Sequence, residues 1–279
     1  MRERAHVFGS EGGLVGVLAE PSPAQARPGA PAILMADVGL QHRVGPYRIW
    51  VELARRLAAA GYPTLRFDLS GLVDSAPRRD SRDEQARATA DMREAMDFLA
   101  QKKGVQRFVV LGFCSGTDSA HAIAVQDPRV AGVVWIDGYA YRTPRFERDW
   151  RTRRFLDKAR WRVFLNRLRE RLSPSAKPRG VGEEIYTREY PEPAQLSQQL
   201  EALLARGMHM LAIYSGGADY TYGYPEQFFE MFPADFRGRI DTGFYPAADH
   251  LFTGVPERQR LLEQLDGWIR QRYPLPPAA

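Results

Sequence analysis

The sequence predicts an α/β fold: a mostly parallel central sheet flanked by helices. Three observations carry that prediction. Strand-like apolar runs alternate with helical periods along most of the chain. One such run, Phe108 to Leu111, leads directly into Gly112-Phe113-Cys114-Ser115-Gly116, a sharp-turn pattern between strand and helix. An aspartate, Asp219, and then a histidine, His250, follow in loops just beyond later strands.

Taken in order, His6 to Leu18 reads as a short antiparallel hairpin about Ser10-Glu11-Gly12-Gly13, followed by a Pro-rich connector from Pro21 to Pro31. Ala32 to Met35 is a buried-type strand. Tyr47 to Ala60 has a helical period that stops at Gly61, because glycine enters the left-handed conformation that ends helices at little steric cost. Pro63 to Phe67 forms the next strand, ending at Asp68, and Asp83 to Lys103 is a long helix closed by Gly104. After the cysteine, Ser115 to Val125 is a helix of small residues suited to close packing on the sheet, and Ala131 to Ile136 is a further strand. Alternation resumes with Met210 to Tyr214, Pro225 to Met231, Ile240 to Tyr245 and a last helix from Pro256 to Arg272.

Between Asp137 and about Gly207 the character changes. This stretch is rich in arginine, contains Pro174, Pro178, Pro191 and Pro193, and carries two helical patterns. Trp161, Phe164, Leu165, Leu168 and Leu172 share one helical face and the arginines take the other. The chain therefore divides into a core over 1–140, an Arg-rich helical insertion over 141–207, and the rest of the core over 208–279. From Tyr141 to Leu172 there are twelve Arg or Lys against four Asp or Glu, a local net of +8 within a total of +5. That concentration suits an anionic partner, such as an acyl carrier protein or a coenzyme A thioester, as well as a plain solvated face.

Composition narrows the class. The 279 residues, 44% hydrophobic and 26% charged, are ordinary globular material. No apolar run approaches the length of a membrane span, and the first residues lack the apolar stretch of a secretory signal, so a cytoplasmic protein with no membrane span is expected. A single cysteine excludes an internal disulfide and a Cys-based zinc cluster, and the five histidines show no paired ligand spacing. No metal, cofactor or nucleic-acid partner is expected.

The chemistry centres on Cys114. In a G-x-nucleophile-x-G frame the glycines remove Cβ atoms from a strained turn, so that the middle side chain is held exposed. A thiol there is a strong nucleophile once a neighbouring base takes its proton. His250 is the candidate base and Asp219 its orienting acid, in the chain order nucleophile, acid, histidine. Asp137, at the end of the preceding strand, and Asp249, beside the histidine, are alternatives for the acid. The oxyanion donors are expected to be the backbone N–H groups of Ser115 and Leu40. His42 and Arg43, in the same loop as Leu40, either orient substrate or anchor the loop. Asp68 fixes a turn, and Asp118 complements its helix N-terminus.

These features together resemble the α/β-hydrolase superfamily across nearly the whole chain. More narrowly, His42 to Pro46, Arg66 to Gly71, Phe113 to Gly116 and Ile136 to Pro144 resemble bacterial hydrolases of the exosortase-associated and serine-aminopeptidase-like kind. The resemblance implies an α/β-hydrolase fold with a helical lid, in a small biosynthetic enzyme. The cysteine departs from the serine of most members, and is similar to the nucleophile of dienelactone hydrolases and polyester synthases. That similarity implies acyl transfer, with a thioester as the activated substrate. A small ester or lactone hydrolase and a non-catalytic ligand-binding protein on the same fold are the competing expectations. The sequence does not set the oligomeric state.

Overall fold

The computed structural model describes residues 1–36, 42–156, 190–218 and 221–276. It contains an eight-stranded sheet in the order β1-β2-β4-β3-β5-β6-β7-β8. The hairpin is longer than the sequence suggested: β1 (Arg2–Phe8) pairs antiparallel with β2 (Leu14–Glu20) from Arg2 opposite Glu20 to Phe8 opposite Leu14. Strand β2 in turn runs antiparallel to β4 (Thr64–Phe67). From there the sheet is parallel, through β3 (Ala32–Ala36), β5 (Phe108–Phe113), β6 (Val130–Ile136), β7 (His209–Ser215) and β8 (Asp241–Tyr245). Both faces of β3, β5, β6 and β7 are covered, which is why they read as continuous apolar runs rather than alternating ones.

Helices α1 (Ile49–Ala60) and α7 (Val255–Arg272) pack one face. Leu53, Leu57, Leu261, Leu265 and Ile269 from these helices are buried with Ile33, Val109, Val134 and Ile213 from the sheet. On the other face lie α2 (Glu84–Lys103), α3 (Gly116–Gln126) and α5 (Pro193–Ala205), burying Met92, Met96, Ile123, Leu196 and Leu200 against Leu34, Val110 and Val133. Local signals set the helix ends. The Asp83 side chain accepts from Ala86 N at 2.8 Å to cap α2, and left-handed Gly61 and Gly104 close α1 and α2. Helix α1 begins at Ile49, two residues later than its period implied, because Tyr47 and Arg48 both adopt positive φ.

The chain between β6 and β7 supplies α4 (Pro144–Leu156) as well as α5. Arg145, Arg148 and Arg151 on α4 are exposed. The Thr143 and Tyr224 hydroxyls hydrogen-bond at 2.5 Å and Phe146 is buried, so the start of α4 is fastened to the connection between β7 and β8. Among its described residues that connection holds a 3-10 turn (Gly216–Ala218) and the short α6 (Gln227–Glu230), the latter at the position where a longer element was expected. The apolar stripe from Trp161 to Leu172 lies outside the described residues.

Candidate active site at the carboxyl edge of the sheet

Cys114 follows β5 directly and has φ of 53°, the left-handed region that costs a side-chain-bearing residue about 1–2 kcal/mol. The turn is held because Cys114 N donates to Ile136 O at 2.8 Å, on the neighbouring strand, and Thr117 N donates back to Cys114 O at 3.1 Å. Gly112 is required by close approach, since a Cβ there would meet the Gly116 carbonyl group. The side chain of Cys114 is partly buried and packs against the apolar face that includes Phe113 and Ile136. Ser115 stands at the N-terminal cap of α3, so its N–H lies next to the sulfur-bearing residue. Leu40, the other expected oxyanion donor, lies outside the described residues.

His250 lies beyond β8, with its ring 5.3 Å from that of Phe113. Its Nδ1 is 2.8 Å from Asp137 Oδ2. Burial of Asp137 at 6% exposure makes this a sheltered contact, while the His250 side chain keeps 39% of its surface. The imidazole is pushed up to about 10, first by the hydrogen bond with Asp137 and then by one with Cys114, against the opposing effect of partial burial. Both contacts favour the protonated ring, so Nδ1 donates to the carboxylate and Nε2 is left to face the thiol.

The acid expected from the sequence was Asp219, which lies outside the described residues; the carboxylate on His250 is that of Asp137. Asp137 directly follows β6 and has φ of 48°, a conformation that Asp tolerates better than most side chains. Its N donates to Ile213 O at 2.8 Å. Its Oδ1 accepts from Ser215 N at 2.6 Å, and its Oδ2 accepts from Ser215 Oγ at 2.6 Å as well as from the histidine. Ser215, fully buried at the end of β7, therefore holds the acid in place and was not foreseen from sequence. The usable signal was a serine followed by two glycines where an apolar strand ends. Asp249 is accounted for differently: it accepts from Leu251 N at 2.9 Å and Thr253 N at 3.2 Å and so closes its own turn.

The route by which His250 reaches Asp137 is set by two glycines. Strand β7 lies between β6 and β8, so the histidine loop must cross the end of β7. Cβ atoms on Gly216 and Gly217 would overlap the Pro246 carbonyl and the His250 backbone N. With hydrogen in place of a side chain, Gly217 N instead donates to Ala248 O at 3.0 Å and fixes the crossing.

The loop after β3 is anchored from the next strand. Asp68 Oδ1 accepts from Arg43 N at 2.8 Å, and the Arg43 guanidinium bonds both Asp68 Oδ2 and Asp74 Oδ2, the latter at 2.7 Å. Anchoring is thus the role seen for Arg43, and Asp68 ties two loops together rather than one turn. His42, Asp68 and Asp74 bring ligand atoms within 4.8 Å of one another. The guanidinium on both carboxylates already supplies the positive charge that a cation would bring, so this cluster is an ion pair in character.

The arrangement joins a strained thiol, a proton-holding imidazole and a buried carboxylate at one sheet edge, which is suited to nucleophilic acyl chemistry. Among solved structures, this chain is similar to an α/β serine hydrolase without a lid from Xanthomonas campestris (14% identity, 99% of this chain and 98% of that one, TM-score 0.55). It is also similar to a dienelactone hydrolase from Anabaena variabilis (17%, 99% and 99%, 0.57) and to a Pyrococcus furiosus esterase (12%, 98% and 90%, 0.60). No curated protein matches the sequence. No helix among the described residues is long and apolar enough to cross a membrane.

Two measurements test this geometry. The His250 ring, followed by NMR, is expected to stay protonated through neutral pH and titrate near 10, and Asp137→Asn is expected to bring that value down toward 6.5. Because the folded value is raised, the stability it provides is complete below about pH 6.5 and is lost as pH rises through 10. The gap in melting temperature between wild type and Asp137→Asn should narrow over that window. Gly217→Ala, which places a Cβ in the path of the histidine loop, is expected to cost about 1–3 kcal/mol in chemical denaturation and to displace the His250 resonances.

The residues matched to the family described as alpha/beta hydrolase fold are 41–182, half of the chain, and with the sheet order and the turn at Cys114 they make this protein a member of that family.

Proposed function

We propose that this protein is an acyl-transfer enzyme in which Cys114 forms a covalent intermediate with an activated acyl substrate, a thioester. The observation that carries this reading is the run of contacts from a left-handed Cys114, through a His250 that keeps its proton, to the buried Asp137. The thiol proton resides on His250, and the resulting thiolate attacks the thioester carbonyl. The developing oxyanion is met by the Ser115 N–H. Collapse breaks the bond to the departing thiolate, which takes a proton from His250. An acyl group is then held on Cys114 as a thioester.

In the second half-reaction His250 takes a proton from the acceptor, whose oxygen or nitrogen attacks the acyl carbonyl and releases Cys114 as thiolate. A thioester exchanged for a thioester is close to energetically level, so the intermediate can wait for its acceptor. Residues 141–207 are read as a lid over the acyl chain. The exposed Arg145, Arg148 and Arg151 on α4 support an anionic donor, the phosphopantetheine arm of a carrier protein or coenzyme A. The serine hydrolase and esterase neighbours share the fold, and hydrolysis is the same scheme with water as acceptor.

The test is intact-mass spectrometry after incubation with short acyl thioesters of coenzyme A. Wild type is expected to gain one acyl mass and Cys114→Ala none, with acylation of His250→Ala slowed by on the order of 10²–10⁴. Faster clearance of the adduct by an amine or alcohol than by water identifies transfer, and the reverse identifies hydrolysis. A wild-type protein that stays unmodified by esters and thioesters alike would overturn the covalent reading.

A further inference from the structure

A cavity of about 570 Å³ opens on the opposite side of β4 from the cysteine, between the β1–β2 turn, the segment after β4 and α2. Its lining includes Glu11, Ser70, Arg78, Arg79 and Glu94, and its volume falls in the range of small-molecule sites. Strands β4 and β5 are separated by β3, so the cavity lies at least two strand spacings, about 10 Å, from the elbow. None of these residues takes part in the chemistry proposed for Cys114.

The wall carries buried charge. Asp91 is fully buried and the Arg78 side chain is 7% exposed. Arg78 Nε donates to Asp91 Oδ1 at 2.6 Å, its Nη2 lies 3.0 Å from Glu94 Oε1, and Ser70 N donates to Asp91 Oδ2 at 2.7 Å. Glu94 also accepts from Ser10 N at 3.1 Å and Ser10 Oγ at 2.7 Å. A buried ion cluster of this kind adds little to stability compared with apolar residues of the same volume, so its presence on a cavity wall calls for a use. Asp91 and Glu94 are held by these donors, and the buried Arg78 Nη2, though within ion-pair distance of Glu94, makes no hydrogen bond among the described residues.

At the rim, Arg79 and Glu11 are exposed and form no ion pair among the described residues. The rim is also preformed. Ala76 N donates to Gly13 O at 2.8 Å, Val15 N to Ser75 Oγ at 2.9 Å, and Gly71 N to Ala76 O at 3.1 Å, which fastens the segment after β4 to the hairpin turn. With Asp91 behind them, the two arginines face three carboxylates; Arg78 is already matched by Asp91 and Glu94, so the charges left open to a ligand are those of Arg79 and Glu11, one of each sign. A ligand bearing both signs satisfies both: an anionic group on Arg79, with the unbonded Nη2 of Arg78 behind it, and a cationic group on Glu11.

We infer that this cavity binds a small zwitterion of the amino-acid class, held by Arg79 and Arg78 at its carboxylate and by Glu11 at its ammonium group. The inference is independent of the chemistry assigned to Cys114.

The test is calorimetric titration of the full chain with glycine, L-serine and L-glutamate, beside acetate, ethylamine and inorganic phosphate, together with NMR mapping of the amides. At least one amino acid is expected to bind saturably and to shift amides within 11–14 and 70–79, with the singly charged probes about ten-fold weaker or worse. Arg79→Ala and Glu11→Ala each remove a charge-assisted hydrogen bond and are expected to weaken binding about ten-fold. Both residues are exposed, so the variants should keep the wild-type circular dichroism spectrum. Cys114→Ala should bind as wild type does, which separates this site from the catalytic one. The inference is overturned if no amino acid binds, if acetate or phosphate binds as tightly, or if both rim variants bind as wild type does.

Discussion

The Asp137 carboxylate is the contact on which the rest of the site depends. It is buried at the end of β6, where an unpaired ionised group costs several kcal/mol, and three donors from two other strand ends compensate it. Ser215 gives two of these donors from the end of β7, and His250 gives the third from beyond β8. One anion thus fixes the relative positions of three strand ends. The charge on the carboxylate keeps the imidazole protonated, and the imidazole in turn stands against Cys114, so the state of the thiol is set two residues away.

Backbone strain gathers at the same edge. Among the described residues, the non-glycine positions with positive φ are Tyr47, Arg48, Val73, Cys114, Asp137 and Phe252. They follow β3, β4, β5, β6 and β8, each beyond the carboxyl end of its strand. Each costs about 1–2 kcal/mol relative to an ordinary conformation, a sum that a loosely packed protein could not carry. The two apolar layers on either face of the sheet, with Leu34, Val110, Leu111 and Ile213 fully buried between them, provide the surplus. Strain is concentrated where side chains must be aimed, and the packing that offsets it lies in the strands behind.

Most of the fold was legible because its signals are local. The apolar runs of β3, β5, β6 and β7, the Asp83 cap, and the glycines ending α1 and α2 each declare an element within a few residues. The sharp turn at Cys114 was legible for the same reason, since Gly112 and Gly116 flank it directly. The acid was harder. Asp137 and Asp219 each follow an apolar strand, and chain order allows either. What selects Asp137 is the crossing of the histidine loop over β7, which depends on sheet order and on contacts between residues 78 and 113 positions apart. Asp137-Gly138 was the local clue, because a Cβ on Gly138 would strike Thr117 in the elbow helix and so marks the end of β6 as packed against the elbow.

Commitment of Nδ1 to Asp137 has a further consequence for the order of events. The ring has one nitrogen left, Nε2, and every proton that passes between His250 and the reacting groups must use it. It cannot hold the proton from Cys114 and accept one from an incoming acceptor at once. In the proposed reaction the departing group must therefore leave with its proton before the second nucleophile is activated, which would impose two sequential half-reactions. The 39% exposure of the His250 side chain leaves the ring within reach of a second molecule once the first product has gone. The residue that enforces this sequence is not the cysteine but the buried carboxylate behind the histidine.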